Sequence, residues 1–265
     1  MDDVIGTEMV KQSGEVMKEA YHDLVHPSAQ PLGEIISFLP RTIRVWLSGW
    51  EKWIINGEES IRLTAEALKG KVQDIPEDKL VEPEPYVAIP AIQQIAYCQN
   101  SKELRDLYAN LLAALMNADK KWDVHPAFVD IIKQLNPDEA KYLKTFKPTI
   151  QEHYSLIDLA IPEGNDDKNN GMRMVERNYT NISLEVLEHP DKVSSYIDNL
   201  IRLDIIEVPF DITLAGPNAY DDIDNSPHVQ EIKKLFESDK KHLIITHKCF
   251  RLTDFGESFI KVCSG

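Results

Sequence analysis

The chain has 265 residues, 43% of them hydrophobic, and sets 44 Asp and Glu against 29 Lys and Arg for a formal net charge of −15. That length accommodates two modest domains with a packed core. The acidity disfavours general binding to nucleic-acid phosphates and to anionic membranes, both of which need surplus cations.

Three cysteines (Cys98, Cys249 and Cys263) stand far apart with no CxxC or Cys/His ligand spacing. Neither a disulfide framework nor a zinc site is expected, and reduced thiols fit a cytoplasmic protein. The first 26 residues lack the apolar core of a secretory signal. No apolar run reaches the roughly 18 residues that a membrane-spanning helix needs.

Residues 1–30 read as a polar arm or solvated helix. A helical domain follows over residues 31–147. Its opening helix repeats Leu39, Ile43, Trp46, Leu47, Trp50 and Ile54 at three- and four-residue spacing, which is one face of a helix. At 100° per residue, Trp50 lies about 40° to one side of Trp46 and Trp53 about 20° to the other, so the three share a broad aromatic stripe. Core packing explains the stripe most simply. A partner or self-association surface is the next reading, because aromatic residues anchor interfaces, and an in-plane membrane helix is the third, suited by the arginines but not by the chain's acidity.

A helix is expected over residues 58–71. Residues 72–90 hold prolines 76, 83, 85 and 90, and each removes a backbone donor and disfavours helix before it. An extended connector is therefore expected there, with a helix resuming at Pro90. Leu104, Leu107, Tyr108, Leu111, Leu112, Leu115 and Met116 form the clearest helical stripe of the chain. Two further helices start at Pro126 and Pro137, each with proline in the first turn.

Beyond residue 148 the texture changes. Residues 163–172 are a polar turn. Val193, Tyr196, Ile197, Leu200 and Ile201 mark a helix that runs into a strand-like Ile205–Val208. Residues 242–253 read as a second strand, and residues 253–263 as a closing helix with Thr253 as its cap. This order resembles a winged-helix domain over residues 148–265. Its wing would carry a long acidic insertion containing Asp221, Asp222 and Asp224, followed by a helix near residues 229–236. The fold class expected is mainly α with a carboxyl-terminal α+β winged-helix-like domain.

No P-loop, dinucleotide-binding glycine pattern, GxSxG or HExxH motif occurs. His125, just ahead of a helix start, is the one histidine tempting as a general base or ligand, yet no Ser, Cys or second His lies at a telling spacing. The winged-helix reading places Asp191, Asp198, Asp204 and Glu207 around the recognition-type helix against Lys192 and Arg202, the wrong balance for phosphate. Lys233, Lys234, Lys240, Lys241 and Lys248 are the basic cluster, largely offset by Glu231, Glu237 and Asp239.

Three segments in order, VEPEPYVAIPAI (81–92), ELRDLYANLLAALMN (103–117) and VHPAFVDIIKQLNPDEAKYL (124–143), resemble the abortive-infection alpha family of bacterial proteins. The similarity runs from about Trp46 to the carboxyl terminus, with LTDFGESFIKVC (252–263) fitting more loosely. The resemblance implies a bacterial phage-defence protein responding to a phage-derived trigger, and it brings no catalytic motif with it. The reading is thus a cofactor-free, metal-independent protein that associates with a protein partner or forms a homodimer through Trp46, Trp50 and Trp53. The alternatives are a winged-helix transcriptional regulator or nucleic-acid sensor, and an unrecognised hydrolase or nuclease.

Overall fold

The computed structural model describes residues 58–95, 97–98, 100–147, 153–163, 171–237 and 242–264. The polar arm and the Trp46/Trp50/Trp53 stripe lie outside the described residues. The chain divides into two compact units, Met1–Gln134 and Leu135–Gly265.

The first unit contains α1 (Glu58–Gln73), α2 (Pro85–Ile95), α3 (Lys102–Leu115) and α4 (Ala127–Lys133). The α3 stripe does more than face one neighbour. Leu107, Tyr108, Leu111, Leu112 and Leu115 are buried, and so are Ala109, Ala113 and Ala114 between them. A helix covered all round is central, and α1, α2 and α4 all pack on α3. Ser101 caps it, its hydroxyl accepting the Leu104 N–H at 3.3 Å. The Tyr108 hydroxyl donates to the Val129 carbonyl at 3.2 Å, so the one polar atom of that buried ring is satisfied.

The expected extended connector over residues 72–90 needs correction. Residues 85–90 are helical: Pro85 takes the first position of α2 and Pro90 sits inside it. A first-turn proline loses only an N–H that has no intrahelical partner, and Pro90 sacrifices a single bond near the helix start. Val87, Ala88, Ala91, Ile92 and Ile95 are buried, and that apolar face outweighs the loss. Ahead of α2, the chain is pinned to the end of α3. The Val81 N–H donates to the Met116 carbonyl and the Ala118 N–H to the Lys79 carbonyl, both at 2.9 Å.

The second unit begins upstream of the boundary expected near residue 148, because α5 (Pro137–Leu143) is tied to it by two buried acids described below. It continues through β1 (Tyr154–Pro162), β2 (Met172–Tyr179), α6 (Val193–Arg202), β3 (Ile206–Glu207), α7 (Asp221–Asp224), α8 (Pro227–Glu237), β4 (Ile244–Leu252) and α9 (Asp254–Cys263). The strands form one antiparallel sheet in the order β2-β1-β4-β3. β1 buries both faces, with Leu156, Ile157, Leu159 and Ile161 all inaccessible. Such a run carries no two-residue alternation and does not announce itself as a strand. Tyr142, Phe146, Tyr154 and Phe250 pack ring on ring, with neighbouring centroids 4.9–5.8 Å apart.

The close of the chain behaves as its sequence suggests. The Thr253 hydroxyl accepts the Gly256 N–H at 2.8 Å. A Cβ on Gly256 would stand 2.0 Å from the Ile205 carbonyl oxygen, so glycine is obligatory where α9 crosses the chain after α6.

Candidate functional site: a polar seam on the carboxyl-terminal sheet

The second unit concentrates polar side chains on its sheet. Strand register puts His247 opposite Ile157 and Lys248 opposite Leu156, so these neighbours on β4 point to opposite faces. Lys248 Nζ donates to Asp158 Oδ1 at 2.7 Å and to Asn178 Oδ1 at 2.6 Å. The Asn178 N–H donates to Asp158 Oδ1 at 2.9 Å, and its side-chain amide donates to Asp198 Oδ1 at 2.6 Å. Four elements (β1, β2, α6 and β4) thus meet in one chain of hydrogen bonds. Its hub is Asn178, buried at φ 55°, where the β1–β2 register slips between Ile157 and Leu159. Asparagine tolerates the left-handed region better than most residues, and the bulge turns its amide into the network.

On the face of His247, Glu176 accepts the Ser194 hydroxyl at 2.6 Å through one oxygen and lies 2.6 Å from His228 Nε2 through the other. The His228 ring stacks on Tyr179, centroids 4.6 Å apart. His247 repeats the pattern. Its Nε2 lies 2.9 and 3.0 Å from the two oxygens of Asp224, and its ring stacks on Tyr220 at 4.1 Å. The two units run in opposite senses: α8 supplies the histidine of the first and β2 its acid, while β4 supplies the histidine of the second and α7 its acid. Together they clasp the α7–α8 insertion to the sheet. The Tyr220 hydroxyl adds a bond of 2.8 Å to the Lys248 carbonyl.

At the edge of the unit, α5 contributes the two buried acids. Asp138 accepts the N–H groups of Glu188 (3.0 Å) and His189 (2.8 Å) and the Tyr196 hydroxyl (3.2 Å). Burial alone would raise its carboxyl, but these donors and Lys141 outweigh burial and hold it below the usual carboxylate range. Glu139 moves the other way. Burial lifts it, and the Asn136 N–H, the Asn199 amide and Arg202 only partly offset the lift. Burial and the Asp138 charge push the Tyr196 phenol up to about 12.

The seam is built to hold rather than to relay. A nucleophile relay needs the imidazole between hydroxyl and acid, whereas Glu176 separates Ser194 from His228 and occupies both. Lys248 is neutralised by Asp158 and leaves the basic cluster read from sequence. No group of three or more His, Cys, Asp and Glu side chains among the described residues is placed to hold a metal ion.

His125 lies in the other unit. It is exposed, and its Nδ1 accepts the Ala127 N–H at 3.2 Å, which ties it to the opening of α4. The fourth tryptophan lies apart from the other three. Trp122 is 82% exposed, with the Lys121 ammonium 4.7 Å from its ring. Tyr86 and Tyr97 are also mostly exposed on this unit. Isolation hid Trp122, which stands in a polar segment with no apolar periodicity around it. Glu176 and Asn178 were hidden because β2 was not recognisable as a strand.

A helical unit followed by an α+β unit, closed by an antiparallel sheet with a clasped insertion, defines the class of protein. The chain belongs to the abortive infection alpha family, whose model matches residues 56–263. No curated protein matches the chain. Among solved structures, an uncharacterized protein from the hydrocarbon-degrading marine bacterium Alcanivorax borkumensis SK2 is similar at 16% identity. That match covers 52% of this chain and 92% of the other with a TM-score of 0.34, too loose to carry an assignment. No helix among the described residues is long and apolar enough to cross a membrane.

Proposed function

We propose that this protein serves abortive-infection-type phage defence by associating with a protein partner in the cytoplasm, its trigger phage-derived. Membership of the family supports the defence role. The association reading rests on one observation: the helical unit displays Trp122, Tyr86 and Tyr97 to solvent, outside the buried set of its described residues. Exposed aromatics supply contact area at small entropic loss and are favoured anchors in interfaces.

The carboxyl-terminal unit serves the same end as a winged-helix-like module whose wing is replaced by the clasped α7–α8 insertion. In support, α6, β3, β4 and α9 follow one another in the expected order. The exposed positions of α6 and its flanks are Asp191, Lys192, Ser195, Asp198, Arg202 and Asp204, with no cationic surplus for phosphate. Self-association through Trp46, Trp50 and Trp53 completes the proposal, and light scattering of the purified chain measures it directly.

The test is phage challenge of bacteria expressing the chain. Trp122→Ala and Tyr86→Ala are expected to fold normally by circular dichroism yet lose plaque reduction. Full protection from both variants would show that these exposed aromatics are not used. A mobility shift of duplex DNA at physiological salt would instead favour a nucleic-acid sensor.

A further inference from the structure

β2 is the outermost strand of its sheet, and among the described residues no strand pairs with its outer side. Proteins ordinarily blunt such an edge with bulges, charges or a covering element. Here the protection covers only the second half of β2. The register slips lie there, and α6 packs on it through the Ser194–Glu176 bond. The first half, Met172–Arg173–Met174, is bare, with Met172 67% and Met174 48% exposed. Register places Met172 opposite Pro162 and Met174 opposite Ala160, with Arg173 opposite Ile161. The two thioethers therefore share one face and Arg173 takes the other.

Charge identifies the occupant. Arg251 pairs with Glu207, and Arg105 and Arg202 donate to oxygen acceptors. Arg173 and Arg177, both exposed, make no ion pair with a described residue. Arg173 thus sets an uncommitted guanidinium on the bare stretch, with Arg177 further along the strand, in a chain whose net charge is −15. A second copy of the edge is a poor complement, because the lone carboxylate of β2, Glu176, is already engaged by Ser194 and His228.

We propose that the free edge of β2 takes an extended segment of a partner protein in which acidic and apolar residues alternate. Its backbone pairs with Met172–Met174, its apolar side chains cover Met172 and Met174, and a carboxylate of the segment meets Arg173 on the other face, with Arg177 adding attraction at longer range. This deepens the association reading by naming the chemistry of the partner.

The experiment titrates the full chain against a short fluorescent peptide alternating valine and glutamate, read by anisotropy. Saturable binding is expected, weakened by about tenfold or more in Arg173→Glu/Arg177→Glu and less in Arg173→Gln/Arg177→Gln. Both variants change exposed residues and should keep the wild-type circular dichroism. N-methylating the peptide's pairing amides should abolish binding, which separates strand addition from mere charge attraction. Absence of binding, equal binding by the N-methylated peptide, or indifference to both arginine variants would overturn the proposal. A dimer in light scattering that dissolves on arginine reversal would also overturn it, by making a second copy the occupant. Peptide binding retained by Trp122→Ala, while phage protection is lost, keeps this inference distinct from the broader one.

Discussion

The two units solve the problem of burial in different ways. Among described residues the helical unit buries one polar side chain, Ser101, and uses it as a helix cap three residues from its partner. The carboxyl-terminal unit buries Asp138, Glu139, Ser155, Asn178, Thr180 and Ser226. Of these, Asp138, Glu139 and Asn178 reach partners distant in sequence. The first unit is held by apolar area, which tolerates imprecision in any single contact. The second leans on polar bonds that must all be made at once, since an orphaned buried polar group costs more than its bond contributes.

The largest effect should come from the apolar side of this contrast. Leu111→Ala or Leu112→Ala, at 0% and 1% exposure, is expected to destabilise by about 2–5 kcal/mol in denaturant unfolding. A wild-type midpoint for both would break the claim that α3 is the centre of its unit.

Asp138→Asn should cost roughly 2–3 kcal/mol. Both carboxylate oxygens accept backbone N–H groups, and an amide offers oxygen at only one. Glu139→Gln should cost less, about 1 kcal/mol, because removing a charge that burial disfavours offsets the lost acceptor. The pH response separates the neighbours. The Asp138 carboxyl is depressed on folding, so its contribution is present above the ordinary carboxylate range and is lost as pH falls through the folded value. The Glu139 carboxyl is raised, so its charge opposes folding near neutrality and that penalty eases on acidification. Unfolding midpoints of the two variants against wild type from neutral to acid pH should therefore diverge in opposite senses, and parallel curves would refute the assignment.

This contrast also governs how much could be read in advance. The α3 stripe, the cap at Thr253 and the helix opened by Asn136-Pro137 are local patterns, and each was legible because its partners lie within a few residues. β1 and β2 were not, since one is buried on both faces and the other is bulged and polar. The seam depends on those strands: Asn178 and Lys248 are 70 residues apart, and nothing in the spacing of either points to the other. Pro90 misled because a proline's local preference was weighed without the apolar face that overrides it.

The histidine clasp probes the seam at moderate cost. His228→Phe keeps a ring to stack on Tyr179 but removes the bond to Glu176, and His247→Phe does the same toward Asp224. Both histidines are partly exposed, so each change should cost no more than about 1 kcal/mol globally. Hydrogen exchange is the sharper reading. Residues 211–237 should lose protection in the double variant while α3 keeps its own. Unchanged protection of the insertion would remove the clasp from the account.

The smallest expected effect returns to the helical unit and to the residue that looked most like chemistry. His125 is exposed, and the contact that marks its place is local, Nδ1 accepting an N–H two residues on at 3.2 Å. That is a side-chain-to-backbone bond across the turn ahead of α4, of the kind asparagine or aspartate makes with a shorter reach. His125→Ala should therefore cost about 0.5–1 kcal/mol, and His125→Asn should recover most of it, both measured as shifts in the denaturant midpoint. A base or ligand would behave differently: asparagine would rescue stability without rescuing phage protection. If both variants defend as well as wild type, His125 stands with Ser101 as a local fastening of a unit whose strength lies in its apolar centre. Loss of defence in the stable asparagine variant would instead place a functional group at the opening of α4.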